Sequence, residues 1–425
     1  MSDSAKRNKI SPLSLFYILF ICRIVVSLTS VHSVSTTEIN SQALISFVIA
    51  MVMTVVFSLP AVFCYKMNKN PIDIKWVSKL YYVYFILIAA VSVSRFSYFA
   101  STTLNPETQG WLFALIICVC AFYGTTLGVE ALSRFSAFVF VLLCLAILCV
   151  MLCNYDTFND INFYPIITNE GKDILKNALV FSSNTTEIAL FLVLYPSVNG
   201  KCTRNFIRFI CFSFSSIFLL LYFAVAVMGE SILMRNFPFY SLFQISKFGN
   251  FERLDVLHIS FWIMGVFVKA VTALYCACSC IKREFKKNFA FTSSAVAFVL
   301  SLFMLNFANG QEIDYRMTLS LFLIFSVIIP TLTLIFKKKN YVMNLSKCIK
   351  IFFSLFLCFL LFTGCTGNRH LKDLFIVEGL GIDYYDNNLS VTLQGLKVNV
   401  SNASDTPLGN MVVNTSASGT TVSYA

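Results

Sequence analysis

"NALVFSSNTTEIALFLVLYP" occupies residues 177–196. It is long and apolar enough to cross a bilayer, which takes about 20 residues. A run of polar residues from Ser182 to Glu187 interrupts it. A carboxylate at membrane depth is costly and must face protein or water. Ser, Asn and Thr bond to nearby backbone and so favour a local break. Together these features predict a discontinuous helix lining a cavity, with Ser182, Ser183, Asn184, Thr185 and Glu187 as candidates to face a ligand. The competing reading makes 177–187 an external loop and the span a short one.

The rest of the chain decides what kind of protein would hold such a segment. It is 57% hydrophobic and 12% charged, with 45 Phe; a soluble domain carries roughly 25% charge. The composition is that of a polytopic membrane protein. The net charge of +11 then reads as topology signal on cytoplasmic loops rather than as a nucleic-acid surface. Most of the 15 cysteines sit in apolar runs such as "CACSC" (276–280), and the three histidines (His32, His258, His370) are scattered. Small soft residues at that spacing suit close helix packing. No metal, cofactor or disulfide framework is expected. No His-Glu-x-x-His, Gly-x-Ser-x-Gly or phosphate-loop motif is present, so no enzyme is expected.

Ten apolar segments precede Lys337: 11–31, 42–64, 78–100, 110–127, 135–153, 177–197, 206–228, 255–281, 289–308 and 317–336. Basic connections ("KMNKNPIDIK" at 66–75, "KCTRNFIR" at 201–208, "KREFKK" at 282–287, "KKK" at 337–339) alternate with connections poor in Lys and Arg. The long connection at 229–254 is placed outside although it carries Arg235, Lys247 and Arg253. The alternation puts both ends of a ten-helix unit in the cytoplasm. Five spans on each side of residue 154 give two halves that enter the membrane in opposite directions, as an inverted-repeat transporter requires. The expected fold is an all-α polytopic membrane protein in a five-plus-five inverted repeat.

Arg23 stands in the middle of the first span. An Arg there costs about 2.5–3.5 kcal/mol on insertion scales, while each surrounding Leu, Ile, Val or Phe returns roughly 0.3–0.6. The segment still inserts. Arg23 has three available roles: neutralising Glu187, binding a ligand carboxylate, or snorkelling to the interface. "GVEALSR" (128–134) joins spans four and five, and "FPFYSLFQISKFGNFERLDVLHISFWIMGVFVK" (237–269) leads into span eight. Glu252 and Asp255 there suit a helix N-terminus, which leaves the aromatic density unexplained.

"FPFYSLF…FERLD…FW", with Glu252, Arg253 and Asp255, resembles the spore-germination permease family, the GerAB-type B subunit of nutrient germinant receptors. Glu130 and Arg134 of "GVEALSR" resemble its Gly-x-Glu-x-x-x-Arg turn, and "FYPIITNEGKDILKNALVFSSNTTEIALFLVLYP" resembles its sixth span. The resemblance covers about 8–340 and implies membership of the amino acid–polyamine–cation superfamily. One departure concerns span one, which in such transporters breaks at a small residue; "FICRIVV" has none, so Arg23 is a candidate from this sequence alone. The resemblance implies a germinant-sensing permease of the spore inner membrane in a spore-forming bacterium. It would bind a small nutrient, an amino acid above all, between spans one, three, six and eight. Glu187 would take the ammonium or a coupled cation, and A and C receptor subunits and membrane lipid would be its partners. The alternative is a proton- or cation-coupled amino acid transporter with no receptor role.

Beyond residue 340 the chain starts again. "MNLSKCIKIFFSLFLCFLLFTGC" (343–365) has the layout of a lipoprotein signal: a basic region, an apolar core at 351–364, then Cys365 as lipidation candidate. "TGCTGNRHLKDLFIVEGLGIDYYDNNLSVTLQ" (363–394) resembles the start of the GerAC-type lipoprotein subunit of the same receptors. The expected domains are a permease at 1–340, an internal signal-like segment at 341–365 and a truncated GerAC-like segment at 366–425. Residues 389–400 alternate like a strand, and the polar tail from 400 onward reads as flexible.

Overall fold

The computed structural model describes residues 9–34, 41–164, 171–235, 237–246, 255–281, 287–307, 315–336, 375–385, 388–397 and 412–419. Glu252, Arg253, the signal-like segment 341–365 and Cys365 lie outside the described residues. The chain divides into two units, Met1–Asn344 and Leu345–Ala425.

The first unit is helical. Its elements are α1 (Pro12–Val34), α2 (Ser41–Lys66), α3 (Lys75–Phe99), α4 (Gly110–Cys153), α5 (Gly171–Ser183), α6 (Glu187–Leu194), α7 (Thr203–Met228), α8 (Pro238–Ile245), α9 (Asp255–Ile281), α10 (Lys287–Phe307), α11 (Tyr315–Phe322) and α12 (Ile329–Phe336). Among the described residues eight helical segments are long and apolar enough to cross a membrane, and Pro12–Leu28 is a shorter apolar one. The chain is a multi-pass membrane protein.

Helix α4 has 44 residues, about 66 Å at 1.5 Å per residue and twice the roughly 30 Å of a hydrocarbon core. It is non-helical at Gly128 alone, at φ 85° and ψ 177°, a region open essentially only to glycine. "GVEALSR" therefore joins two helical stretches, 110–127 and 129–153, through a single non-helical residue. Helical geometry resumes at once, and Arg134 pairs with Glu130 one turn back at 2.7 Å on an exposed face.

Two sets of bonds gather the connections at opposite ends of the bundle. At one end Ile10 N donates to Ser197 O at 3.0 Å and Asn199 N to Ile10 O at 2.9 Å. There too Lys69 Nζ donates to Leu334 O at 3.0 Å and Cys202 N to Tyr65 Oη at 3.1 Å. At the other end Asn159 N and Asn162 Nδ2 both donate to Ala226 O. The start of α1 thus meets the end of the α5–α6 segment, so the two cross the bundle in opposite directions.

Helix α9 is the hub, packing on α1, α3, α4, α6 and α8. Two glycines set its closest approaches. A Cβ on Gly265 would lie 2.3 Å from Val25 Cγ2 of α1, and one on Gly124 of α4 would lie 2.8 Å from Val271 Cγ2 of α9. Within "CACSC", Cys276, Cys278 and Cys280 are buried, and Ser78 of α3 donates to the carbonyl of Cys280. The aromatic approach at 237–262 also finds its reason. Pro238 opens α8 at a position where its missing N–H costs nothing, and Phe239, Tyr240, Leu242 and Phe243 are buried. Phe99 of α3 packs on Trp262 at 4.0 Å, Phe237 at 4.7 Å and Tyr240 at 5.2 Å between ring centres.

The second unit holds an antiparallel meander of β1 (Phe375–Tyr385), β2 (Asn388–Lys397) and β3 (Val412–Gly419). Ile382 pairs with Val391, and Val391 with Ala417. The expected strand at 389–400 corresponds to β2. The flexible tail is corrected in part: 412–419 is a strand. Val412, Val413 and Thr415 suit a strand, and pairing with β2 satisfies backbone groups that an edge would leave open.

Candidate functional site

The segment Ile174–Ser197 is 89% buried over its 18-residue apolar window, against 33% for Gly110–Cys153 and 28% for Asn288–Leu305. It runs inside protein rather than along lipid, which sets aside the external-loop reading of 177–187. Between α5 and α6 the helix is open at Asn184–Thr186, and every residue of α6 is buried.

The sequence makes this break locally. Ser182 Oγ donates to Leu179 O at 2.8 Å, Ser183 Oγ to Val180 O at 2.7 Å and Asn184 Nδ2 to Val180 O at 3.1 Å. The three polar side chains turn back on the last turn of α5 and compete with its continuation. Their donors are therefore engaged by their own helix, and their oxygens keep lone pairs. Thr185 N bonds Ser182 O at 3.0 Å, while the buried Thr185 Oγ1 has no hydrogen-bond partner.

Breaking a helix exposes carbonyls at one end and N–H groups at the other, with partial charges to match. Opposite charges meet both. Arg23 of α1, 1% exposed, donates to Phe181 O at 3.1 Å and Asn184 O at 3.4 Å. Its guanidinium also lies over the Phe214 ring, 5.0 Å from the centroid. Arg23 does not snorkel to the interface; it closes the carbonyl end of α5. Glu187 is the first residue of α6 and wholly buried, the end where a carboxylate is favoured. Thr186 Oγ1 donates to Glu187 Oε1 at 3.2 Å. Helix α1 itself is continuous through Cys22 and Arg23.

The partner of Glu187 is a residue that the sequence reading did not single out. Lys269 of α9 donates from Nζ to Glu187 Oε1 at 3.1 Å and to Cys22 O of α1 at 3.0 Å. The side chains of this pair are 3% and 0% exposed. Its loss on one side costs about 3–5 kcal/mol, because the other charge stays buried alone. The signal was present: Lys269 interrupts "WIMGVFVKAVTALY" (262–275) as Arg23 interrupts span one.

Two charged groups at the break keep an open valence. Glu187 Oε2 and Arg23 Nε are buried and have no hydrogen-bond partner. One is an anionic acceptor and the other a cationic donor. Such groups call for partners, since an unmet buried polar atom is expensive. Of the other candidates, Glu130 and Arg134 lie at the α4 kink, away from the break in sequence and exposed. Asp255 opens α9, and its side chain lies outside the described residues. Among the described residues no cluster of His, Cys, Asp or Glu is suited to a metal ion.

A family model described as "Spore germination protein" (Spore_permease) matches residues 9–313. Spore germination protein YndE of Bacillus subtilis (strain 168) is 22% identical over 228 residues, covering 50% of this chain and 61% of that protein. The chain thus spans less than two thirds of that relative's length. Among solved structures, Mhp1 is a nucleobase-cation-symport-1 family transporter in a closed conformation with bromovinylhydantoin bound. It aligns over 74% of this chain and 78% of its own, at 13% identity and a TM-score of 0.43.

Proposed function

The chain belongs to the spore germination permease family, and from that premise we propose that it is a nutrient-receptor permease whose ligand, a zwitterionic amino acid, binds at the break between α5 and α6. The observation that carries this reading is the pair of open valences, Glu187 Oε2 and Arg23 Nε. An ammonium donates to the first and a carboxylate accepts from the second. Each full side-chain charge outweighs the opposite partial charge, about half a unit, of the half-helix end that it caps, so the side chains set where the ligand's ammonium and carboxylate go.

The wider reading has ten spans in a five-plus-five inverted repeat, with Gly128 dividing α4 into spans four and five. The bond between Ile10 and Ser197 supports it, because spans one and six then run oppositely. The end of the bundle that gathers Lys69, Tyr65 and Gly200 carries the basic connections and is assigned to the cytoplasm. The membrane is the spore inner membrane, and the partners are A and C receptor subunits. The second unit is read as C-type subunit sequence following the permease in the same chain.

Glu187→Gln tests the ligand site. The variant keeps the shape and removes the charge that the ammonium needs. Spores carrying it should accumulate the protein yet lose most of their amino acid response. A normal response would remove Glu187 from the site. Reconstituted protein separates receptor from transporter: binding of a labelled amino acid without gradient-driven accumulation supports the receptor, and accumulation supports the alternative of a coupled transporter.

A further inference from the structure

Three charged side chains meet at the break: Arg23, Lys269 and Glu187. All three are 2% exposed or less. Two are cations and one is an anion, so the trio carries a net charge of +1. Lys269 Nζ is held by a backbone carbonyl of α1 at 3.0 Å and by a carboxylate of α6 at 3.1 Å. Backbone carbonyl and carboxylate oxygens are what a hard metal cation takes as ligands, and helix breaks in membrane transporters are where coupling ions sit. Here a covalently attached ammonium has those oxygens.

The approach of α9 to α1 serves this placement. Gly265 lies one turn before Lys269 on the same face of α9, since i and i+4 share a face. The Cβ it lacks would fall 2.3 Å from Val25 Cγ2, so only glycine lets α9 come this near. The absent methyl brings the lysine within reach of Cys22 O.

We infer that Lys269 is a built-in monovalent cation: it occupies the place of an exchangeable ion between Cys22 O and Glu187, and so closes this site to sodium and potassium. A free metal cation, which unlike a zwitterion brings no carboxylate of its own, would meet two like charges there in a water-poor setting, where such repulsion is least screened. The lysine also ties α1, α6 and α9 through one nitrogen. The site is the one assigned to the nutrient above, but the test needs no nutrient, so either reading can fail without the other.

The full-length protein in lipid nanodiscs is heated in sodium, potassium or N-methylglucamine chloride at equal ionic strength. The wild-type unfolding midpoints should coincide. Lys269→Ala should unfold several degrees lower. Propylammonium, the fragment removed by that change, should restore the midpoint saturably, sodium should do so in part, and N-methylglucamine should not. Lys269→Ala/Glu187→Gln removes the carboxylate together with its ammonium and keeps the trio's net charge at +1, on Arg23 held by backbone carbonyls; it should fold better than the single variant and ignore every cation. The inference is overturned by a wild-type midpoint that rises saturably with sodium. It is equally overturned by a Lys269→Ala variant indifferent to propylammonium and sodium, or by a double variant as damaged as the single one.

Discussion

Gly265→Ala adds one methyl group at the tightest approach of α9 to α1. The new Cβ would lie 2.3 Å from Val25 Cγ2, whereas ordinary contact begins at 3.4 Å, so the helices must part by about 1 Å at this point. Lys269 lies one turn away and its two bonds measure 3.0 and 3.1 Å. A shift of that size takes them past the roughly 3.6 Å at which a hydrogen bond is no longer made. Two effects oppose each other. Overpacking costs about 1–3 kcal/mol, while Ala in place of Gly inside a helix returns up to about 1 kcal/mol. Those two terms alone leave a net loss of about 0–3 kcal/mol, to which the loss of the two Lys269 bonds adds. A double-mutant cycle with Val25→Ala isolates the clash, because the propensity gain is the same in both backgrounds. Gly265→Ala should destabilise the wild type, and in the Val25→Ala protein it should be neutral or stabilising. The coupling energy should be about 1–3 kcal/mol. Thermal unfolding in detergent or nanodiscs measures all four corners. Additive effects would refute the close approach and the placement of Lys269 that depends on it.

Arg23→Met removes two bonds to the carbonyl end of α5, each worth about 1.5–3 kcal/mol for a charged donor. The unfolding midpoint should fall and labelled amino acid binding should be lost together; a variant of unchanged midpoint would show that the carbonyls do not need the guanidinium. Gly128→Ala forces a side chain into a backbone region reserved for glycine and should cost about 1–3 kcal/mol, read as a lower midpoint with ligand affinity retained in the folded fraction. An Ala variant as stable as wild type would mean that α4 tolerates a straight path there.

The sequence disclosed those features that local chemistry controls. The break at 182–187 was legible because Ser182, Ser183 and Asn184 act on carbonyls three or four residues back. The helical segments were legible because a bilayer demands long apolar runs. The charge pairing was not, because Lys269 and Glu187 are 82 residues apart and nothing in "GVFVKAV" names its partner. Arg23 was noticed for its cost, yet three roles stood open until Phe181 and Asn184 were seen to receive it. That "GVEALSR" joins two helical stretches was legible; that it does so through one non-helical residue was not. Helix α8, at eight residues, is too short for periodicity to reveal, and its burial depends on the aromatic wall supplied by Phe99 and Trp262.

The segment Ile174–Ser197 has a mean hydropathy of 1.4, against 3.0 for Gly110–Cys153, and all of α6 is shielded by neighbours. A ribosome making this chain reaches Glu187 first and Lys269 82 residues later. At about 5–20 residues per second, that interval is roughly 4–16 s. During it the nascent carboxylate has no ammonium to meet, and the least lipid-compatible segment has no α9 to enclose it. The packing therefore implies an order of assembly: the helices made earlier are in place while the central segment still lacks the neighbour that encloses it. Its packing is completed only when α9 has been made.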